Sequence, residues 1–143
     1  MNKIARFCEN TSELRSFDPR NISLKDHLIG SAAAICQKAS EVKIIIVFTK
    51  TGNSARELSR YRLGIPIIAV CDSNMTAREL ALSYGVIPLV VNFRNTRYGE
   101  SGAVFEIIKK KGWCQLGETA LVIHGTNWLE EGSANSLSFR KKL

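Results

Sequence analysis

Short apolar runs rich in Val and Ile alternate along this chain with segments whose apolar residues recur at helical spacing. Strands buried on both faces of a parallel sheet have unbroken apolar sequences of this kind, and a crossover helix joins each strand to the next. The alternation therefore predicts a parallel α/β sheet. Its four buried strands are predicted at Lys43–Phe48, Pro66–Val70, Ile87–Val91 and Ala120–His124.

A fifth run, Ser136–Phe139, alternates polar and apolar residues, as expected of an edge strand with one face in water. The predicted fold class is α/β: a doubly wound, mostly parallel five-stranded sheet with helices on both faces and the last strand antiparallel at the edge. In such sheets ligands bind beyond the carboxyl ends of the strands. Helices are predicted at about Leu24–Ser40 with Ser23 as N-cap, from Ser54 onward, at about Thr76–Tyr84 after capping residues 72–74, and at about Ser101–Lys111.

The length and composition of the chain suit one domain. Its 143 residues, 45% of them hydrophobic, can form one core, so a single domain over 1–143 is expected. Residues 1–22 are predicted to form a charged helix and a loop ahead of the α/β core at 23–143. No apolar run approaches the roughly 20 residues of a membrane helix, and the cysteines lack metal or redox spacing. We therefore expect a cytoplasmic protein with reduced thiols and no membrane contact.

The net charge of +7 raises the question of nucleic-acid binding. The positive charges are spread along the sequence, apart from two short clusters at Lys109–Lys111 and Arg140–Lys142. Cations are favoured in the last turn of a helix, and they discourage wrong pairing at a sheet edge. No aromatic residues lie between them to stack on bases. Binding of nucleic acid is therefore not expected.

The most specific local sequence follows the first predicted strand. It consists of Thr49, Lys50, Thr51, Gly52, Asn53 and Ser54. Three hydroxyls, an ammonium group and a flexible glycine stand directly before a helix, whose unpaired N–H groups and positive dipole end point the same way. This combination predicts a site for a phosphate group. The alternative is that Thr51 or Ser54 only caps the helix while Gly52 eases the turn.

The same turn differs from the common nucleotide-binding loops. It lacks the GxxxxGK[ST] spacing of nucleoside triphosphatases, and no GxGxxG sequence follows any predicted strand. A nucleotide pyrophosphate is therefore disfavoured, and a single phosphate of a small ester suits the turn better.

A second candidate region is the long connection between the fourth and fifth predicted strands, residues 124–135. It leaves the same edge of the sheet as the Thr49–Ser54 turn, and connections of this length usually cover or bind something. Trp128 offers a flat apolar surface, and Gly132 and Ser133 offer backbone N–H groups without bulk. The alternative is a surface loop with Trp128 folded onto its own domain.

The sequence contains no recognisable catalytic constellation. His27 and His124 have no Cys, Ser or carboxylate at a catalytic spacing, so both are predicted to be surface or capping residues. The chain has no HExxH or GxSxG sequence and no acidic cluster for a metal. No catalytic residue, metal site or cofactor is therefore predicted.

Taken in order, several segments resemble the C-terminal domain of pyruvate kinase, from about Lys3 to Phe139. They are KIARFCE, IIIVFTKTGNSA, SRYRLGIPIIAV with its TAREL continuation, YGVIPLVV, KKGWCQLGETALVIHG and GSANSLS. The resemblance implies that the Thr49–Ser54 turn holds a phosphate of an allosteric sugar bisphosphate, commonly fructose 1,6-bisphosphate. It also implies an effector loop at residues 126–135.

Two positions depart from the pattern of that family. Asn53 stands where the family usually has Arg or Lys, and Glu100 stands where some members use an Arg to hold the second phosphate. Arg97 lies close to Glu100 and is the candidate replacement. The first phosphate is therefore accounted for by the resemblance, whereas the second has no clear partner.

The resemblance also implies what lies outside this segment. Pyruvate kinases carry their catalytic residues, with the Mg²⁺ and K⁺ sites, in a (β/α)₈ barrel and a lid domain that precede this domain. The resemblance further implies a homo-oligomer, with the last strand at about Leu137–Phe139 near a two-fold axis. The chain is thus either a segment of such an enzyme, with no catalysis of its own, or a free-standing relative. A stand-alone oligomerisation module that has lost effector binding is the alternative.

Overall fold

The computed structural model describes residues 23–92, 102–115, 117–125 and 134–141. The predicted N-terminal helix and loop at 1–22 lie outside the described residues. Within the described ranges the chain forms four helices and five strands, and helices and strands alternate as far as the fourth strand. They are α1 (Leu24–Lys38), β1 (Val42–Phe48), α2 (Asn53–Ser59), β2 (Ile67–Cys71), α3 (Asn74–Leu80), β3 (Val86–Val90), α4 (Gly102–Lys110), β4 (Thr119–Gly125) and β5 (Ala134–Lys141).

The strands form one sheet in the order β3-β2-β1-β4-β5. β1, β2, β3 and β4 are parallel to one another, and β5 pairs antiparallel with β4. The predicted fold class is confirmed, including the antiparallel strand at the edge. β3 forms the other edge, with Pro88 at its centre in register with Ala69 of β2.

Both faces of the sheet are covered by helices, which is why the central strands are apolar throughout. Ile45 and Val47 of β1 pack with buried residues of α1, α2 and α3. Ile44 and Ile46 point to the opposite face and pack with Val104 and Ile108 of α4. Every residue of β2 and β4 is buried.

The helix termini follow from local sequence. Ser23 is the N-cap of α1 as predicted: its Oγ accepts from the Asp26 backbone N–H at 3.2 Å, and Asp26 Oδ2 accepts from the Ser23 N–H at 2.9 Å. This reciprocal pair is a capping box. Ser73 caps α3 by accepting from the N–H groups of Met75 and Thr76. The capping predictions at both helices are confirmed.

The structure corrects several predicted boundaries. α3 ends at Leu80 instead of Tyr84, because residues 82 and 83 close tighter turns back to Glu79 and Leu80, with Ser83 N donating to Leu80 O at 2.9 Å. α2 ends at Ser59. β5 is longer than predicted because its backbone ladder with β4 continues to Lys141, irrespective of side-chain polarity.

Candidate functional site

The Thr49–Ser54 turn, here called the β1–α2 turn, lies where the winding of the sheet reverses. α2 and α3 lead from β1 through β2 to β3 on one face, whereas α4 returns on the other face to place β4 on the opposite side of β1. The carboxyl ends of β1 and β4 lie side by side in the sheet, with Val47 in register with Ile123. Ligand sites of doubly wound sheets form in the crevice at such a switch point.

The backbone of the β1–α2 turn is held from inside. Thr49, only 9% exposed, donates its N–H to Val70 O of β2 at 2.9 Å. Its Oγ1 accepts the Gly52 N–H at 2.9 Å. Gly52 is the N-cap of α2 with φ 82°, and no side chain caps this helix. The alternative that Thr51 or Ser54 serves as a hydroxyl cap is therefore wrong.

The remaining predicted residues of the turn differ in exposure. Lys50 is exposed, and its carbonyl oxygen accepts from Thr76 Oγ1 of α3 at 3.3 Å. Thr51 is half-buried, and Ser54 is 5% exposed. The turn thus combines an exposed ammonium, a partly exposed hydroxyl and the opening N–H groups of α2 on one side of the sheet edge. Anions are favoured at such a place by hydrogen bonding and by the helix dipole.

A positive charge lies beside Asn53 that was not predicted from the sequence. Asn53 Oδ1 accepts from Arg56 Nη1 at 3.0 Å, and Arg56 Nη2 donates to Glu79 Oε2 of α3 at 2.6 Å. A guanidinium therefore lies beside the uncharged residue at the start of α2. The i, i+3 spacing of Asn53 and Arg56 on one helix was the available signal, whereas the partner on α3 has none in the sequence.

Gly52 also meets a constraint from α3. A Cβ added to it would lie 3.1 Å from Leu80 Cδ2 and Cγ, and Leu80 is completely buried. A side chain at position 52 would therefore have to displace Leu80 by a few tenths of an ångström, in addition to adopting the positive φ.

Four predicted site residues lie outside the described residues. They are Arg97, Trp128, Gly132 and Ser133. Their roles, like that of Glu100, stay predictions. No group of His, Cys, Asp and Glu within the described ranges could hold a metal ion. No helix within those ranges is long and apolar enough to cross a membrane.

His124 is placed differently from its prediction. His27 is exposed on α1, but His124 at the end of β4 is only 7% exposed, so the prediction of a surface residue is wrong for His124. Burial lowers the pKa of His124 below its usual 6.5, and the nearby charge of Arg140 lowers it further. A hydrogen bond with the Gly125 backbone acts in the opposite direction.

This lowered pKa predicts an acid-sensitive fold. Below pH about 6.5 the unfolded chain takes up a proton at His124 that the folded chain does not, so the free energy of unfolding falls until the pH passes the folded-state pKa. Denaturant unfolding at a series of pH values should show this loss. His124→Gln should remove its share of the slope, and Arg140→Gln should only reduce it because burial is the larger cause. A slope unchanged in His124→Gln would contradict the prediction.

The comparisons with known proteins agree with this architecture. The family model described as "Pyruvate kinase, alpha/beta domain" matches residues 26–138, which is most of the chain. This chain belongs to the pyruvate kinase alpha/beta-domain family. The earlier resemblance is thereby confirmed.

The similarity to individual pyruvate kinases covers most of this chain but only part of each relative. A pyruvate kinase of Clostridium acetobutylicum is 32% identical over 145 residues, covering 96% of this chain and 30% of that protein. One from Leishmania mexicana is 31% identical, covering 92% and 29%. The crystal structure of a pyruvate kinase from Cryptosporidium parvum superposes with a TM-score of 0.73 at 25% identity, covering 87% and 24%. The chain thus spans less than a third of the length of these relatives.

Proposed function

We propose that this chain is the sugar-phosphate effector-binding and subunit-assembly domain of a pyruvate kinase. The observation that carries the proposal is the β1–α2 turn: a hydroxyl-rich, lysine-containing turn without a side-chain cap, at the switch point of a sheet that belongs to this family. In a complete enzyme of this kind, a preceding barrel with its Mg²⁺ and K⁺ would transfer phosphate from phosphoenolpyruvate to ADP in cytoplasmic glycolysis. This chain would supply regulation and assembly.

Each residue of the β1–α2 turn has a distinct role in this proposal. Lys50 supplies charge, and Thr51 and Ser54 donate hydroxyl protons to the phosphate oxygens. Thr49 is mainly a shaping residue because its Oγ1 already accepts from Gly52, although a hydroxyl that accepts can still donate its proton. Gly52 and Asn53 bring the opening N–H groups of α2 toward the same point. Arg97 as a possible contact of the second phosphate, and Trp128, Gly132 and Ser133 as residues of the effector loop, remain expectations from the sequence and the family resemblance.

Calorimetric titration tests effector binding directly. Fructose 1,6-bisphosphate, ribose 5-phosphate and inorganic phosphate should be titrated separately into the 143-residue chain. Binding of the bisphosphate more tightly than the two monophosphates would support a two-phosphate site, and equal binding would support a single-phosphate site. Absence of binding by all three at millimolar concentrations would overturn the effector proposal.

A second candidate function is assembly without an effector. Asn53 carries no charge and Arg56 is engaged by Glu79, which leaves less positive charge available at the turn. β5, in contrast, ends the described sheet as an eight-residue strand, and its Phe139 is 53% exposed. An edge strand with an unpaired ladder suits pairing with a second copy. Sedimentation with and without fructose 1,6-bisphosphate separates the candidates: a pure assembly module pairs equally in both, whereas an effector domain responds to the ligand.

A further inference from the structure

The Arg56 guanidinium contacts the side chain of the first residue of α2. Its Nη1 lies 3.0 Å from Asn53 Oδ1, and Gly52, the N-cap, immediately precedes Asn53. The guanidinium is therefore positioned beside the first turn of α2, on the side that faces α3. A fixed cation at that place adds to the field that the β1–α2 turn presents to an anion.

Glu79 competes for this guanidinium. Its Oε2 lies 2.6 Å from Arg56 Nη2, so part of the hydrogen-bonding fork of Arg56 is engaged by a carboxylate of α3. The side chains of Arg56 and Glu79 are 36% and 54% exposed. Ion pairs this exposed add little stability and weaken with salt, because water screens them. Arg56 is thus able to leave the Glu79 carboxylate for an anion that binds it more strongly.

A phosphate monoester is such an anion. It carries more charge than a carboxylate, and its oxygens match the planar fork of an arginine in a bidentate arrangement. α3 is also tied to the turn at two further points, through Thr76 Oγ1 on the Lys50 carbonyl and through Leu80 beneath Gly52. Loss of the Glu79 contact would therefore remove one of the links between α3 and the segment that begins at the turn.

We propose that Arg56 is a further phosphate-binding residue of this site and that Glu79 regulates the site by competing with the phosphate ester for the Arg56 guanidinium. This inference rests on the proposed function. In the bound state Arg56 leaves Glu79 and pairs with the phosphate, so α3 loses one of its links to α2. Neither residue was predicted from the sequence.

The test compares four variants with the wild-type chain. Affinity for fructose 1,6-bisphosphate and for inorganic phosphate is measured by calorimetry, and the backbone N–H signals of residues 51–54 are followed by NMR. Glu79→Gln should tighten binding about fivefold, and Arg56→Gln should weaken it about tenfold or more, as expected for a charge-assisted contact. The matched control is Glu106→Gln, which removes the same charge from an exposed position on α4, across the sheet. It should bind as the wild type does.

The double variant Arg56→Gln/Glu79→Gln distinguishes competition from a general field effect. If Glu79 acts through Arg56, the gain from Glu79→Gln disappears once Arg56 is gone. A gain that persists in the double variant, or an affinity unchanged in both single variants, would overturn the inference while wild-type binding left the proposed function intact. Absence of binding in the wild type and in Glu79→Gln alike would overturn both. Thermal unfolding of every variant checks that the chain remains folded.

Discussion

Replacing Gly52 by alanine is expected to destabilise the fold by about 2 to 4 kcal/mol, from the left-handed backbone and the crowding of a packed side chain together. The alanine backbone would have to adopt φ 82°, and its Cβ would lie 3.1 Å from the Leu80 side chain. Because Leu80 is completely buried, it cannot move away into solvent. Urea unfolding of the wild-type and variant chains measures the difference.

Gly64→Ala is the matched control for this experiment. Gly64 has φ 72°, but a Cβ added to it would meet no atom within 4 Å. It should therefore show only the backbone cost, about 1 to 2 kcal/mol. Equal destabilisation by the two variants would mean that the Leu80 contact costs nothing. A Leu80→Ala change made together with Gly52→Ala should cost less than the sum of the two single changes, because it removes the crowding and the new Cβ partly fills the space that it leaves.

Loss of the hydroxyls of Thr51 and Ser54 together is expected to weaken phosphate binding by about 2 to 4 kcal/mol, or roughly 30- to 1,000-fold in Kd. Each hydroxyl would donate a charge-assisted hydrogen bond to the ligand, and partial replacement by water limits the sum. Calorimetry of Thr51→Ala/Ser54→Ala with the tightest of the three phosphate ligands measures the loss.

Ser31→Ala is the control for the removal of a hydroxyl. Ser31 is exposed on α1, where its Oγ donates to the His27 carbonyl oxygen at 2.8 Å, away from the turn. Its affinity for the ligand should equal that of the wild type. Since Ser54 is buried, thermal unfolding of the double variant must accompany the titration. A folded double variant with unchanged affinity would place the phosphate contact elsewhere.

The strands were predictable from the sequence because burial on two faces requires continuous apolar residues. β1 and β2 each begin one residue from the predicted position, because KIIIVF and PIIAV are short runs rich in β-branched apolar residues, which favour a buried strand. The end of α3 was less predictable. Its apolar pattern continues to Leu82, but Leu82 is 92% exposed, so the pattern there does not report burial.

In the β1–α2 turn, some features depend on adjacent residues and others on contacts with a helix that is distant in sequence. Its position and its glycine follow from adjacent residues in the sequence. The support from α3 could not be predicted, because Thr76, Glu79 and Leu80 come close to Lys50, Arg56 and Gly52 only after the sheet has formed. From sequence alone, a polar or charged side chain on a short helix is as compatible with exposure to solvent as with a tertiary contact.

The two edges of the sheet differ in their capacity to add a strand. Val91 N donates to Cys71 O of β2 at 2.8 Å, so by the alternation of a strand the backbone nitrogen of residue 88 faces outward, away from β2. In Pro88 that nitrogen carries no hydrogen, and the outer side of β3 lacks a donor at its centre. Stacking of one copy's β3 edge on another copy's β5 edge, which would propagate into an open fibre, is thereby discouraged. If the chain assembles as proposed, sheet extension would therefore join β5 of one copy to β5 of the other, a contact that closes after two copies.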